Sequence, residues 1–242
     1  MSPTTSSNTT IILVHGAWHT PWHYSSLITA LAEVGYPVLC PQLPSVSASD
    51  ADISRDVLII RNEIQTVVDA GRQVALVMHS YGGVVGGESS VGFDRNIVKL
   101  VYMASFPLPL GCSLVDMLPG GGEPLPWWRS TEEGTGWIAI DEDRVFYNDV
   151  EDEELLTALK AKLGTQAKGV QLSKATWEPY RSISSAYLLC EKDQALVIQV
   201  QESMVAAAGI IEVRRIDAGH SPWLAKTAET AQAIVDAIEG KL

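Results

Sequence analysis

Six short apolar runs recur along the chain, and they constrain its fold more than any other feature. Each run has the usual length of a β-strand, between four and eight residues. Most are apolar at consecutive positions, which is typical of strands buried on both faces of a sheet. The runs are IILV at 11–14, PVLC at 37–40, VALVM at 74–78, IVKLVYMA at 97–104, AYLLC at 186–190 and IIEVRRI at 210–216.

Patterns of helical period separate several of these runs. Thr20 can cap a helix that has Pro21 at its first position and Gly35 just past its end. A second pattern, with apolar residues on one side between 53 and 67, ends at Gly71. Strands that alternate with helices require crossover connections, so we expect an α/β fold whose mostly parallel sheet has helices on both faces.

Residues 107–184 interrupt this alternation with a segment of different composition. The segment is rich in proline and glycine, including the run Gly120–Gly122, and it holds four of the chain's seven tryptophans. Its clearest helical pattern spans 150–163, where acidic residues suit the N-terminal dipole and leucines form a stripe. We expect an inserted, mainly helical cap on a core formed by residues 1–106 and 185–242.

The charge balance of the chain excludes some classes of partner. It has 17 Lys and Arg against 29 Asp and Glu, a formal net charge of -12. Nucleic acids and anionic membranes attract clustered positive charge, so we expect neither as a partner. The start, MSPTTSSNTT, has no basic region followed by an apolar core, and no apolar run approaches the roughly 20 residues that span a bilayer. These features favour a cytoplasmic protein.

The stretch MHSYGG at 78–83 places polar side chains where a buried strand gives way to a glycine-rich segment. A serine at the tip of a sharp strand-to-helix turn exposes its hydroxyl, and parallel sheets bind ligands beyond the carboxyl ends of their strands. Ser80 is therefore the candidate nucleophile, and Gly82 leaves room for the next helix to pack closely on the strand. The backbone amides of Ala17 and Tyr81 are the candidate oxyanion hole.

A serine nucleophile also needs a base and a group that orients that base. His220, in DAGHSPW after the last predicted strand, is the candidate base. Asp193, in CEKDQAL after the AYLLC run, is the candidate orienting acid. Glu191 and Asp217 compete with Asp193 for that role.

These motifs resemble those of the α/β-hydrolases, in particular the branch that contains plant methylesterases, hydroxynitrile lyases and related bacterial and fungal esterases. The matching residues are LVHGAWHTPWHYSSLITALAEVGYPVLCPQLP at the start, MHSYGG, and YLLCEKDQALVIQVQESMV followed by DAGHSP. The chain order Ser, Asp, His is also associated with this scaffold. The resemblance implies an α/β-hydrolase fold with about six strands and with residues 107–184 in the place of the lid. Met78 departs from the G-x-S-x-G pattern, so the turn must accommodate a larger side chain.

The same resemblance implies an activity and assigns site residues. It implies a carboxylic ester hydrolase that forms an acyl-enzyme intermediate and needs neither a cofactor nor a metal. It places Asp193 in the position of the orienting acid, whereas we interpret Asp217 as a turn former. The predicted substrate-binding residues are Gly16, Trp18, His79 and Trp128.

The composition of the predicted cap indicates the class of substrate. Trp127, Trp128 and Trp137 are expected to lie over Ser80, and large aromatic walls favour apolar groups. No run of Lys or Arg in residues 107–184 offers a clamp for an anion. We therefore expect a neutral, hydrophobic small-molecule ester or lactone as the partner molecule.

Two further residue patterns are interpreted as structural. His15, His19 and His23 fall at four-residue steps, as metal ligands can, but Gly16 and Pro21 prevent one continuous helix through them. We expect no metal site there. The remaining pattern is a set of three widely spaced cysteines without a Cys-x-x-Cys pair, interpreted as reduced and structural: Cys40, Cys112 and Cys190.

Other functions remain open from the sequence alone. A lyase or another non-hydrolytic enzyme could use the same triad. Against the cyanohydrin-cleaving branch, Ser221 and Gly16 stand where those lyases carry a lysine and a threonine. A catalytically silent receptor would keep the pocket without a competent triad. A homodimer is also an open alternative to the monomer.

Overall fold

Six parallel strands and their flanking helices form the body of the structure. The computed structural model describes residues 8–48, 51–120 and 123–242. The polar start of the chain at 1–7 and the last two residues of the predicted glycine run, Gly121 and Gly122, lie outside the described residues.

The helices and strands follow one another in three groups along the chain. The first group is β1 (Thr9–Val14), α1 (Ser25–Glu33), β2 (Val38–Leu39), α2 (Ile53–Asp69), β3 (Gln73–His79), α3 (Gly82–Ser89) and β4 (Ile97–Met103). The second group is β5 (Trp128–Ser130), β6 (Gly136–Ala139), α4 (Glu142–Val145), α5 (Glu153–Ala161) and β7 (Gln166–Ala167). The third group is β8 (Ser185–Cys190), α6 (Ile198–Ala208), β9 (Glu212–Ile216), α7 (Pro222–Ala225) and α8 (Thr227–Ile238).

The central sheet has the strand order β2-β1-β3-β4-β8-β9, and every neighbouring pair is parallel. Each of the six apolar runs contributes one of these strands, so the predicted α/β fold is confirmed. Strand β1 lies between the edge strand β2 and β3, and the later strands are added on the β3 side. Because all neighbouring strands are parallel, the carboxyl ends of β3, β8 and β9 lie at the same edge of the sheet.

Apolar side chains fill the space on both faces of the sheet. Alternate residues of β1 show the division, because Ile12 and Val14 belong to one core and Ile11 and Leu13 to the other. The first core lies under α2, α3 and α6, and the second lies under α1 and α8. Burial on both faces explains why these strands are apolar at consecutive positions.

The segment between β4 and β8 adds a small antiparallel sheet to the predicted helices. Its strand order is β5-β6-β7, and β7 reaches the core through an isolated bridge between Val46 and Gln166. The helix expected over 150–163 is shorter, because the Asp152 side chain caps it by accepting from the amides at 154 and 155. The boundaries at 107 and 184 remain a prediction.

In the part of the chain that the structure describes, no helix combines the length and apolar character that crossing a membrane requires. The cytoplasmic location remains a prediction from the sequence.

Candidate active site

Ser80 occupies a sharp turn between the end of β3 and the start of α3. Its φ of +51° lies in the left-handed region, which non-glycine residues seldom adopt. Backbone contacts hold it there, since its amide donates to the Met103 carbonyl at 3.3 Å and its carbonyl accepts from the Ser105 hydroxyl at 2.7 Å. At Gly82 a Cβ would stand 2.2 Å from the Val14 carbonyl oxygen, so only glycine allows the helix to start this close to β1.

Met78 takes the position of the first glycine of the G-x-S-x-G pattern, and the structure shows how it fits. Its side chain is fully buried and lies against α3. A Cβ on Gly86 would approach the Met78 sulfur to 2.5 Å. The volume that the methionine adds on the strand is therefore matched by a glycine on the helix.

His220 and Asp193 meet directly, although they follow different strands. His220 Nδ1 lies 2.8 Å from Asp193 Oδ2, and both side chains are almost fully buried. The other carboxylate oxygen of Asp193 accepts hydrogen bonds from the amides of Ala195 and Leu196, each at 2.8 Å. Gln201 on α6 donates to Oδ2 at 3.3 Å. These contacts fix the carboxylate in the orientation that receives the imidazole.

The two carboxylates that compete with Asp193 face away from His220. Glu191 pairs with Arg215 at 3.2 Å, and Asp217 pairs with Lys192 at 2.8 Å. Both ion pairs lie at the exposed surface. Among the three candidate acids, the structure brings only Asp193 to the imidazole.

Ser80 and His220 line one cavity, whose empty space of about 390 Å³ includes a part that is open to solvent. Ala17 and Tyr81 line the same cavity. Within the described residues, neither the Ala17 nor the Tyr81 amide nitrogen has a backbone acceptor. The Tyr81 hydroxyl donates to the buried Asp56 at 2.8 Å. The nucleophile, base and amide candidates thus share one cavity.

The predicted aromatic wall is present only in part. Trp18, Trp127 and Trp128 line the cavity. Trp137 does not line this cavity, and its carbonyl instead accepts from the Trp18 indole at 2.9 Å. The structure does not place Trp137 over Ser80, because its indole lies beside Lys168 in a neighbouring cavity.

His79 and Gly16, predicted to bind substrate, are held by hydrogen bonds within the protein. The Gly16 amide donates to the Tyr24 hydroxyl at 2.9 Å, and that hydroxyl donates to His79 Nδ1 at 2.7 Å. His79 Nε2 in turn donates to the His220 carbonyl at 2.9 Å. His79 is fully buried, and neither it nor Gly16 lines the cavity. The structure gives these polar groups partners within the protein, and substrate binding by Gly16 and His79 stays a prediction.

Comparison with known proteins identifies the family. A sequence profile described as the alpha/beta hydrolase family matches residues 11–235. The chain belongs to the alpha/beta hydrolase family. The resemblance found in the sequence is thereby confirmed.

Relatives of this α/β hydrolase include named esterases. The alpha/beta hydrolase nvfD of Aspergillus novofumigatus is 33% identical over 88% of this chain and 90% of the relative. Polyneuridine aldehyde esterase of Rauvolfia serpentina is 24% identical over 93% of this chain and 94% of its own. Such relatives confirm the predicted enzyme class, a carboxylic ester hydrolase.

A solved structure shows the same fold. The crystal structure of a pyrethroid hydrolase from Sphingobium faniae JZ-2 matches with a TM-score of 0.82 at 24% identity. The match covers 96% of this chain and 98% of that protein.

The cap holds both loops that carry the candidate base and acid. Asn148 Nδ2 donates to the Lys192 carbonyl at 3.0 Å, next to Asp193. Asp149 Oδ2 accepts from the Gly219 amide at 2.6 Å, next to His220. The cap of this α/β hydrolase therefore supports the pairing of base and acid as well as covering the cavity.

The three histidines of the first loop are bound within the protein. His15 Nε2 accepts from the Leu43 amide at 2.9 Å, and His19 Nδ1 donates to the Ala17 carbonyl at 2.8 Å. His23 Nε2 donates to the Leu159 carbonyl at 3.1 Å. These contacts tie the loop to the sheet and to the cap.

Burial of neutral histidines should make this protein sensitive to mild acid. Burial lowers the pKa of His15 to about 4 and lowers the pKa of His19 and His79 well below 6.5. Between these values and 6.5 the unfolded chain binds more protons, so the free energy of unfolding decreases as the pH falls. At about 1.4 kcal/mol per histidine and pH unit, we expect a loss of about 3–4 kcal/mol between pH 6 and pH 5.

Urea denaturation at a series of pH values measures this effect. The His15→Gln variant lacks one of the three protonation sites, so its loss over the same interval should be smaller by about one third. A free energy of unfolding that stays constant from pH 7 to pH 5 would contradict the burial of neutral imidazoles.

Several residues that shape the site were not found from the sequence. Tyr24 connects Gly16 to His79, Gln201 holds Asp193, and Asp56 holds Tyr81. Asp56 had a usable signal, because it is an acid on the inward-facing stripe of a predicted helix, and a carboxyl is seldom buried without partners. Tyr24 and Gln201 carried no such signal in the sequence, because tyrosine and glutamine are common at partly buried helical positions.

Proposed function

We propose that this α/β hydrolase cleaves a carboxylic ester or lactone of a neutral, hydrophobic small molecule through an acyl-enzyme intermediate. One observation carries the proposal. Ser80, at the strained turn after β3, lines the same cavity as His220, whose Nδ1 is bonded to Asp193. A nucleophile, a base and an orienting acid are the three parts that serine catalysis requires.

The contacts of His220 determine the direction of proton transfer. Because Nδ1 carries the proton shared with Asp193 at 2.8 Å, Nε2 is the nitrogen with a free lone pair. In the proposed reaction Nε2 takes the Ser80 proton as Oγ attacks the carbonyl carbon of the ester. The imidazolium that forms is stabilised by the Asp193 carboxylate.

The remaining steps use the backbone and water. The amides of Ala17 and Tyr81 are proposed to donate to the oxyanion of the tetrahedral intermediate. Its collapse breaks the bond to the alcohol, which takes the proton from His220. A water molecule, activated by the same imidazole, then attacks the acyl-enzyme and releases the acid. A lactone would give a single product, a hydroxy acid, because its acyl and alcohol parts stay linked.

The lining of the cavity supports a neutral substrate. Among the described residues, the cavity wall includes no Asp, Glu, Lys or Arg side chain. A carboxylate buried there would lose its hydration without gaining a cationic partner. Trp18, Trp127 and Trp128 supply large apolar surfaces for the part of the substrate that surrounds the ester.

A panel of matched esters tests this substrate class. We expect kcat/KM of the wild type to be about 10²-fold higher for neutral aryl and alkyl esters than for anionic esters of the same size, because of the uncompensated charge. Trp128→Ala should change the preference among acyl groups, since the indole lines the cavity.

The matched control for this panel is Trp177→Ala. Trp177 is a cap tryptophan whose indole donates to the Ser90 hydroxyl at 3.1 Å, away from Ser80. Its replacement should lower stability and leave the acyl preference unchanged. A wild-type preference for the anionic esters would refute the proposed substrate class. Equal proportional losses across the panel in Trp128→Ala would assign that ring to the core.

A further inference from the structure

Two side chains in the cavity wall have buried polar atoms without protein partners. Gln171 is 1% exposed, and neither its amide nitrogen nor its amide oxygen makes a hydrogen bond to any described residue. The indole nitrogen of Trp128, which is 9% exposed, is likewise unpartnered. Both residues line the cavity that contains Ser80.

Two other side-chain donors of the cavity wall are paired within the protein. The Trp18 indole donates to the Trp137 carbonyl, and the Tyr81 hydroxyl donates to Asp56. Buried polar atoms are nearly always paired, because leaving one unpaired costs the full loss of its hydration. Three unpaired atoms on one wall of a binding cavity therefore indicate a ligand that pairs with them.

The number and type of these atoms identify the ligand group. Trp128 Nε1 and Gln171 Nε2 are donors, and Gln171 Oε1 is an acceptor. A hydroxyl has the complementary set, with two lone pairs to accept hydrogen bonds and one proton to donate. A carboxylate or an ether has no proton and would leave the glutamine oxygen unpaired.

We propose that Gln171 and Trp128 bind a hydroxyl group of the substrate, so that the enzyme acts on hydroxylated neutral esters or lactones. This inference rests on the proposed function of the same site and specifies its substrate.

The position of the two residues places the hydroxyl within the substrate. Gln171 and Trp128 also line a neighbouring cavity beside Trp137 and Lys168, whose empty space of about 350 Å³ includes a part that is open to solvent. Ser80 does not line that outer cavity. The hydroxyl is thus carried on the part of the substrate that points toward the cap, separated from the ester carbonyl at Ser80.

Pairs of esters that differ only by a hydroxyl in place of a hydrogen test the inference. The pairs carry the hydroxyl at increasing distance from the ester, on the acyl side or the alcohol side. For at least one pair we expect the hydroxylated member to have a kcat/KM about 10- to 100-fold higher in the wild type, because it satisfies buried groups that its partner leaves unpaired. Gln171→Met, similar in size and without an amide, should reduce that ratio to near one.

Trp128→Phe removes the indole donor and should reduce the ratio in part. The matched control is Trp127→Phe, which alters another indole of the same cavity wall that is not among the buried unpartnered ones. It should change kcat/KM of both members equally and keep their ratio.

A second readout does not depend on turnover. Gln171→Met removes two unpaired buried atoms, so the Tm of the unliganded protein should rise by about 2–4 °C. A ratio near one in the wild type for every hydroxyl position would overturn the inference, because a substrate hydroxyl would then gain nothing from these atoms. If the proposed function itself were wrong, the result would be different, because neither member of any ester pair would be hydrolysed.

Discussion

Replacing Ser80 with alanine should lower kcat for the best neutral ester by about 10⁶-fold, since removal of a serine nucleophile abolishes the covalent route. The oxyanion amides and the cavity should still provide about 10³- to 10⁴-fold acceleration over the uncatalysed reaction. The variant should fold normally, because the hydrogen bonds that hold residue 80 use its backbone amide and carbonyl. Steady-state kinetics and thermal unfolding of the two proteins measure both expectations.

A fluorophosphonate probe identifies the reactive serine directly. Mass spectrometry should find the probe on Ser80 in the wild type and no labelled peptide in Ser80→Ala. Ser221→Ala is the matched control, because this buried serine follows His220 and its hydroxyl has no partner among the described residues. It should keep labelling and most of the turnover. Unchanged hydrolysis by pure Ser80→Ala protein would refute the mechanism.

Asp193→Asn should lower kcat by about 10⁴-fold while leaving the fold intact. An asparagine amide can donate to His220 Nδ1, which would place the imidazole proton on Nε2, the nitrogen that must accept from Ser80. The asparagine oxygen can still accept from the amides of Ala195 and Leu196, so the loop should keep its shape. Comparison of kcat at saturating ester measures the effect.

Glu191→Gln provides the control for that variant. Glu191 lies two residues earlier and pairs with Arg215 at the surface, where an ion pair contributes about 1 kcal/mol or less. We expect a change in kcat of less than about 3-fold, because Glu191 has no contact with the imidazole. A larger loss in Glu191→Gln than in Asp193→Asn would reassign the orienting role.

The central sheet could be predicted from the sequence because its strands carry their own signal. Burial on both faces requires consecutive apolar residues, so VALVM and IVKLVYMA indicate strands without knowledge of their neighbours. Ser80, Asp193 and His220 were predictable because each follows such a strand. In a parallel sheet the carboxyl ends of the strands meet at one edge.

The cap was less predictable because its structure depends on distant contacts. Strand β7 has two residues, and its pairing relies on Gln166, whose amide reaches Ser45 in the core. The partners of His79 come from positions 24 and 220, and a single sequence does not reveal such a connection. The local sequence around His79 is compatible with a substrate contact, and only the three-dimensional arrangement shows that both ring nitrogens are used.

The exchange of volume between Met78 and Gly86 bears on how nucleophile turns are recognised in genomes. A sequence search that requires glycine two residues before the serine rejects this chain. The turn nevertheless forms, because Gly86 on α3 leaves the room that the Met78 side chain needs. For protein engineering, Met78→Gly alone would open a void beneath the turn, and Gly86→Ala alone would press a methyl group against the methionine sulfur. Because the volumes of Met78 and Gly86 are complementary, both residues should be transferred together when this turn is engineered into another protein.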